Sequence, residues 1–166
     1  MPTVDPVMYN PWDLAPVWVM LPNSKDIWQK GINLRNSTSS TGGNQKWEFE
    51  IKLEDDSIHC IKTIPIDNYN LEFQFVKRRS QDQDNMISLT DMTSLAFLNE
   101  PEMVECMLRR FSKQTIYTNI GPILIAVNPC QRFPLYSADI LDKYIKEGEA
   151  MGISSTLPHV FQISDR

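Results

Sequence analysis

The residue types best suited to chemistry lie together in Asn128-Pro129-Cys130-Gln131-Arg132-Phe133-Pro134-Leu135-Tyr136. Asn128 offers a neutral amide that both donates and accepts, Arg132 a planar fork of donors, and Tyr136 a flat face with a hydroxyl. Such groups can bracket a planar heteroaromatic base by hydrogen bonding and stacking. Pro129 and Pro134 fix backbone torsions within the segment. It follows a continuous apolar run, Ile123 to Val127, and open sheets place ligand crevices just beyond such strands. A rigid structural loop has the same composition, so the residues alone leave both readings open.

Other chemistries lack their residues. None of the six glycines opens a G-x-x-x-x-G-K-[ST] cradle, so these residues contain no phosphate loop. His59 and His159 are far apart, and no G-x-S-x-G elbow accompanies them. Asp55-Asp56 reads as a turn rather than a catalytic carboxylate pair. Cys60, Cys106 and Cys130 are odd in number and widely spaced. That argues against a disulfide framework or a zinc site and predicts buried free thiols. Sixteen basic residues against 21 acidic ones give a net charge of −5. The longest basic run, Lys77-Arg78-Arg79, is followed at once by Gln81, Asp82 and Asp84. A basic patch able to displace counterions from nucleic acid is missing. The first twenty residues hold no Lys or Arg and are broken by Pro6, Pro11, Asp13 and Pro16. They read as neither a signal peptide nor a membrane span, which predicts a reducing, cytosolic setting and makes Asn36-Ser37-Thr38 a chance glycosylation match.

The elements that must position these residues fall into an α+β pattern. After an extension over 1–14, residues 15–66 read as a small SH3-like barrel of short strands. Within it Trp47, Phe49, Ile51 and Leu53 alternate strictly with Lys46, Glu48, Glu50 and Lys52, the period of a half-buried antiparallel strand. Arg35 to Asn44 reads as a polar loop, and Gly31 as a bulge or a close backbone approach. Trp18, Trp28 and Trp47 either line a peptide groove, or fill the interior or seat the barrel on a neighbouring domain; a barrel with few core positions favours the latter readings over a groove. Residues 67–87 read as a linker carrying a docking strand around Leu71 to Val76, with a solvated stretch from Lys77 to Asn85. Helices enter from Ser88. Thr90-Asp91 caps a short helix through Leu98, and Pro101 opens a second in which Val104, Met107, Leu108 and Phe111 form one apolar stripe against a core. Arg109, Arg110 and Lys113 complement its dipole. Ile123 to Val127 reads as a strand buried on both faces of a central sheet. Helices are further expected from Ser137 to near Gly148 and from about Leu157 onward, the last so close to Arg166 that the chain is expected to be cut from a longer one.

Asp91 to Pro101, Ile116-Tyr117-Thr118, Gly121 to Pro129, then Arg132, Pro134 and Tyr136, and finally Pro158 to Asp165 together resemble the start of the myosin motor domain, in order and in register. The match runs over 88–166, and the upstream strand-rich part is similar to the SH3-like subdomain that precedes many myosin motors. The resemblance implies an incomplete P-loop-type α/β motor domain, ATP as the nucleotide, Mg2+ held by residues outside this sequence, and actin filaments and light chains as partners engaged elsewhere in the molecule. It implies a cytoplasmic, cytoskeletal location. It also implies that Asn128, Pro129, Arg132 and Tyr136 approach the adenine, while Cys130 stands where the family commonly has a bulky aromatic. Lacking a phosphate loop, the 166 residues are expected neither to hydrolyse ATP nor to move actin alone. Residues 88–166 expressed separately are expected to be molten or to aggregate. The competing expectation is a truncated, non-catalytic adaptor that recruits partners through its barrel.

Overall fold

Alternation of apolar and polar side chains builds the first half of the protein. The computed structural model describes residues 12–21, 28–41, 44–67, 72–82, 84–151 and 157–164. The chain divides into two units, Met1–Gln81 and Asp82–Arg166. In the first, β1 (Pro16–Val19), β2 (Gln29–Thr41), β3 (Asn44–Leu53), β4 (Ile58–Thr63) and β7 (Val76–Arg78) form an antiparallel sheet in the order β4-β3-β2-β1-β7. β5 (Pro65–Asp67) and β6 (Glu72–Phe73) pair separately. This is an antiparallel β unit compatible with the SH3-like class. Trp47, Phe49, Ile51 and Leu53 are all buried, as their alternation predicts.

Two local expectations change, and a third is decided between its alternatives. The polar run Asn36 to Thr41 is strand, not loop, because it pairs residue for residue with Asn44 to Phe49 in one long hairpin. The register shift falls between Asn33 and Arg35 rather than at Gly31. Gly31 is instead the close approach: a Cβ there would sit 2.6 Å from Ile51 Cγ2 and 3.0 Å from the Lys52 carbonyl oxygen. Finally, Lys77 and Arg78, expected in a solvated linker, pair with Trp18 and Val17 across β1.

The core of this unit is aromatic. Trp12 lies 5.4 Å from both Phe49 and Phe73, edge-on to each, and Phe49 and Phe73 are 5.0 Å apart. Val17, Val19, Trp47, Ile51, Leu53, Ile61 and Val76 close around them. Trp12 belongs to the expected N-terminal extension, yet it is buried at the centre of the unit; its backbone carbonyl accepts a hydrogen bond from the Asn33 side-chain amide. Trp18 points to the other face of β1, with Lys30 Nζ at 5.6 Å and the Arg79 guanidinium at 5.9 Å from its ring centre. Trp28 is half-buried. The three tryptophans considered for a groove therefore do not share one cluster.

The second unit is held by capping and by one buried arginine. It runs through α1 (Asn85–Ser88), a 3-10 turn at Met92–Ser94, α2 (Glu100–Ser112), the hairpin of β8 (Tyr117–Ile120) and β9 (Ile123–Ala126), α3 (Ala138–Met151) and α4 (Val160–Ser164). The helix expected from Asp91 through Leu98 is only that 3-10 turn, with Asp91 Oδ1 accepting from Thr93 N. The Asn99 side chain caps α2 by accepting from Glu102 N, and Pro101 sits in its first turn. Its buried face is not the expected stripe. Glu102, Cys106 and Arg110 are buried, whereas Val104 and Leu108 are exposed. Arg110 stands in the last turn of α2, as expected, but its side chain is buried rather than turned to solvent. Its Nε donates to Thr118 Oγ1 (2.9 Å), Nη1 to the carbonyls of Ile87 (2.8 Å) and Leu89, and Nη2 to that of Tyr117 (3.0 Å). One guanidinium thus ties α2 to the α1 region and to β8. Of the cysteines, only Cys106 is buried; Cys60 and Cys130 are exposed, against expectation, because each sits on a solvent-facing position of a strand or a loop.

Candidate functional site

The β8–β9 hairpin positions the loop that carries Asn128 to Tyr136. Its two-residue turn, Gly121-Pro122, joins Ile120 to Ile123, and Gly121 adopts φ +57°. A positive φ at the first turn position followed by proline suits the type II′ geometry that matches strand twist. Gly121 N also donates to Asp91 Oδ1 at 3.1 Å, and Asn119 N to the Thr90 carbonyl at 2.9 Å. The hairpin is therefore pinned at its tip. Hydrogen bonds from Thr93 hold the Asp91 carboxyl below its usual range, with Gly121 N adding to the effect against burial.

The described residues do not by themselves bury β9 on both faces. Among the described residues it pairs with β8 alone, and Ile123 is 60% exposed. A two-stranded ribbon cannot bury both of its faces without further layers. The crevice argument for open sheets accordingly does not apply within these residues.

Of the four expected site residues, Asn128, Arg132 and Tyr136 are exposed and Pro129 is half-buried. Asn128 Oδ1 accepts from Cys130 N at 2.9 Å, closing a local turn in which Cys130 takes φ +52°. That bond engages the amide oxygen and not the amide NH2. Tyr136 is anchored at its hydroxyl, 2.8 Å from the hydroxyl of Tyr117 on β8. No hydrogen bond among the described residues joins Asn128 or Arg132 to Tyr136; the loop displays these groups without linking them.

Residues outside the expected set frame Tyr136. His159 is 4% exposed, with its ring 4.9 Å from Tyr117 (edge-on), 4.9 Å from Tyr144 (stacked) and 5.8 Å from Tyr136. Phe161 meets Tyr136 edge-on at 6.3 Å. His159 Nδ1 accepts from Phe161 N at 3.1 Å, so the proton of the neutral imidazole resides on Nε2. Burial pushes His159 below its ordinary pKa, partly offset by the Leu135 carbonyl. Burial, then the Tyr136 hydroxyl, raises Tyr117 to about 12. His159 and Tyr117 are thus uncharged at neutral pH. The sequence alone gives His159 no catalytic partner and places it only within the Pro158–Asp165 resemblance. Its aromatic neighbours come from four separate elements, and no spacing pattern brings them together.

Among the described residues no group of three or more His, Cys, Asp or Glu side chains stands close enough to hold a metal ion, and no helix is long and apolar enough to cross a membrane. The loop chemistry, an amide donor, a guanidinium and an aromatic face, fits a planar base. It offers nothing for a divalent cation.

Comparison with known proteins identifies this architecture. Residues 89–166 match the family model of the myosin head (motor domain). Over 150 residues, 90% of the chain, the sequence is 28% identical to unconventional myosin-Vb of Rattus norvegicus. It is 32% identical to myosin-2 of Saccharomyces cerevisiae over 131 residues, 72% of the chain. Over 76 residues, 45% of the chain, identity to myosin-5 of Arabidopsis thaliana reaches 46%. The matches cover 7%, 7% and 5% of those relatives respectively. The motifs read from the sequence, the capped α2, the pinned hairpin and the loop beyond it all fall inside the matched region, and the chain belongs to the myosin family.

Proposed function

We propose that this chain is the N-terminal part of an ATP-driven, actin-based motor of the cytoskeleton, and that its loop Asn128 to Tyr136 forms the wall facing the adenine base. The observation that carries this reading is the family match over 89–166. It is supported by a rigid loop, set just after the hairpin, that leaves Asn128, Arg132 and Tyr136 exposed. In this reading Tyr136 stacks on or flanks the base, Asn128 and Arg132 supply donors to it, and Pro129 stiffens the approach. The P-loop-type α/β core, the contacts to triphosphate and Mg2+, actin and light chains all belong to segments outside these residues. No catalytic step is assigned to this chain.

Base contacts without a phosphate cradle give weak binding. Calorimetric titration of ATP into the 166-residue chain is expected to show no micromolar affinity, and a micromolar Kd would overturn that expectation. For the base-facing wall itself, isotope-edited NMR with millimolar adenosine is expected to perturb resonances of 128–136 selectively. Perturbations confined to the first unit would favour an adaptor instead.

A further inference from the structure

We propose that Tyr117 and His159 are positioning residues for the base-facing wall: they fix the orientation of Tyr136 so that one face of its ring stays open to a planar heteroaromatic ligand. The inference rests on the adenine-wall reading of the loop, but its structural half stands on contacts of its own. Tyr136 is held in two ways. Its hydroxyl is bonded to the Tyr117 hydroxyl at 2.8 Å. Its ring is flanked by His159 at 5.8 Å and by Phe161 at 6.3 Å. The holding groups are themselves fixed. Tyr117 is on β8, beside the carbonyl anchored by Arg110, and is 9% exposed. His159 is stacked on Tyr144 of α3, with Nδ1 engaged by Phe161 N.

Tyr136 is different, being 55% exposed. A half-exposed tyrosine ordinarily samples several rotamers, and ordering one on binding costs free energy. Holding the ring from its hydroxyl end and from one flank removes that cost before a ligand arrives. The orienting groups carry no charge at neutral pH, so they set geometry without attracting or repelling the triphosphate.

The test uses the full chain with ring-13C tyrosine, the Tyr136 signal being assigned by its loss in Tyr136→Phe. Tyr117→Phe keeps the ring that packs on His159 and deletes only the hydroxyl. Far-UV circular dichroism is expected to be unchanged. The Tyr136 signal is expected to shift toward rotamer averaging, and the adenosine Kd to rise about fivefold, the worth of one neutral hydrogen bond. His159→Asn is expected to average the Tyr136 signal as well, and His159→Phe, which restores a ring, to recover it. If Tyr117→Phe leaves both the Tyr136 signal and the adenosine Kd as in the parent, the positioning role is overturned. If the parent chain itself gives no response to adenosine at 128–136, the adenine-wall reading has failed. The Tyr136 signal in Tyr117→Phe then decides the positioning role by itself.

Discussion

Arg110 shows how much a single side chain can carry here. Its guanidinium satisfies the carbonyls of Ile87, Leu89 and Tyr117 and the Thr118 hydroxyl. Removing it leaves buried acceptors without donors, each costing about 1–3 kcal/mol. Arg110→Leu is therefore expected to destabilise the second unit by about 3 kcal/mol or more in urea unfolding followed by circular dichroism. Arg110→Lys should recover little, since an ammonium cannot reproduce the planar fork. Its neighbour Arg109, paired with Glu105 at 2.7 Å across one helical turn with both side chains partly buried, should lose less than Arg110 on change to Ala. Asp91 gives a pH-dependent counterpart. Its folded carboxyl titrates below the unfolded one because Thr93 and then Gly121 donate to the charged form. The stabilisation is thus fully present above about pH 4 and lost as pH falls through the folded value. Asp91→Ala should cost about 1 kcal/mol at neutral pH, as loss of a helix-capping side chain does, and flatten the acid limb of the stability curve.

Elements differed in how plainly the sequence announced them. Strict alternation in β3 and Pro101 at the start of α2 are local signals, and each is readable because neighbouring residues alone determine it. The buried face of α2 was not readable. Cys106 and Arg110 are placed inward by hydrogen-bonding partners distant in sequence, and Glu102 is buried on the same face, while hydrophobic periodicity points to Val104 and Leu108. The hydroxyl-rich end of β2 reads as loop in the sequence because its stability comes from pairing with β3, not from its own composition. Of the candidate site, the loop residues were legible as chemistry and as resemblance. The aromatic frame around Tyr136 was not, since Tyr117, Tyr144, His159 and Phe161 meet only through tertiary packing. Two glycines test the element scale. Gly31→Ala forces a Cβ against Ile51 and the Lys52 carbonyl and is expected to cost about 1–3 kcal/mol by overpacking. Gly121→Ala meets no atom within 4 Å, so its expected loss of about 1 kcal/mol comes from the positive φ alone.

At the scale of the whole molecule, the two units carry separate reporters. All four tryptophans, at 12, 18, 28 and 47, lie in Met1–Gln81. Indole fluorescence therefore follows the β unit, while the helical signal at 222 nm follows Asp82–Arg166. Arg110→Leu is expected to lower the midpoint of the second and leave the first in place; a common shift would show that the two unfold together. Residues 82–166 alone expose Ile123 on a strand edge, together with Leu98 and Leu108. They are expected to self-associate as concentration rises, and Ile123→Lys should suppress this in sedimentation experiments. The placement of Trp12 bears on where this protein can be cut. A recombinant β unit begun at the first strand would omit the indole that fills the middle of its own interior, leaving a hollow that valines and phenylalanines cannot close. The start of a self-sufficient folding unit is marked here by one side chain several positions upstream, so truncations meant to isolate the motor portion or its neighbour must keep that residue with the β half.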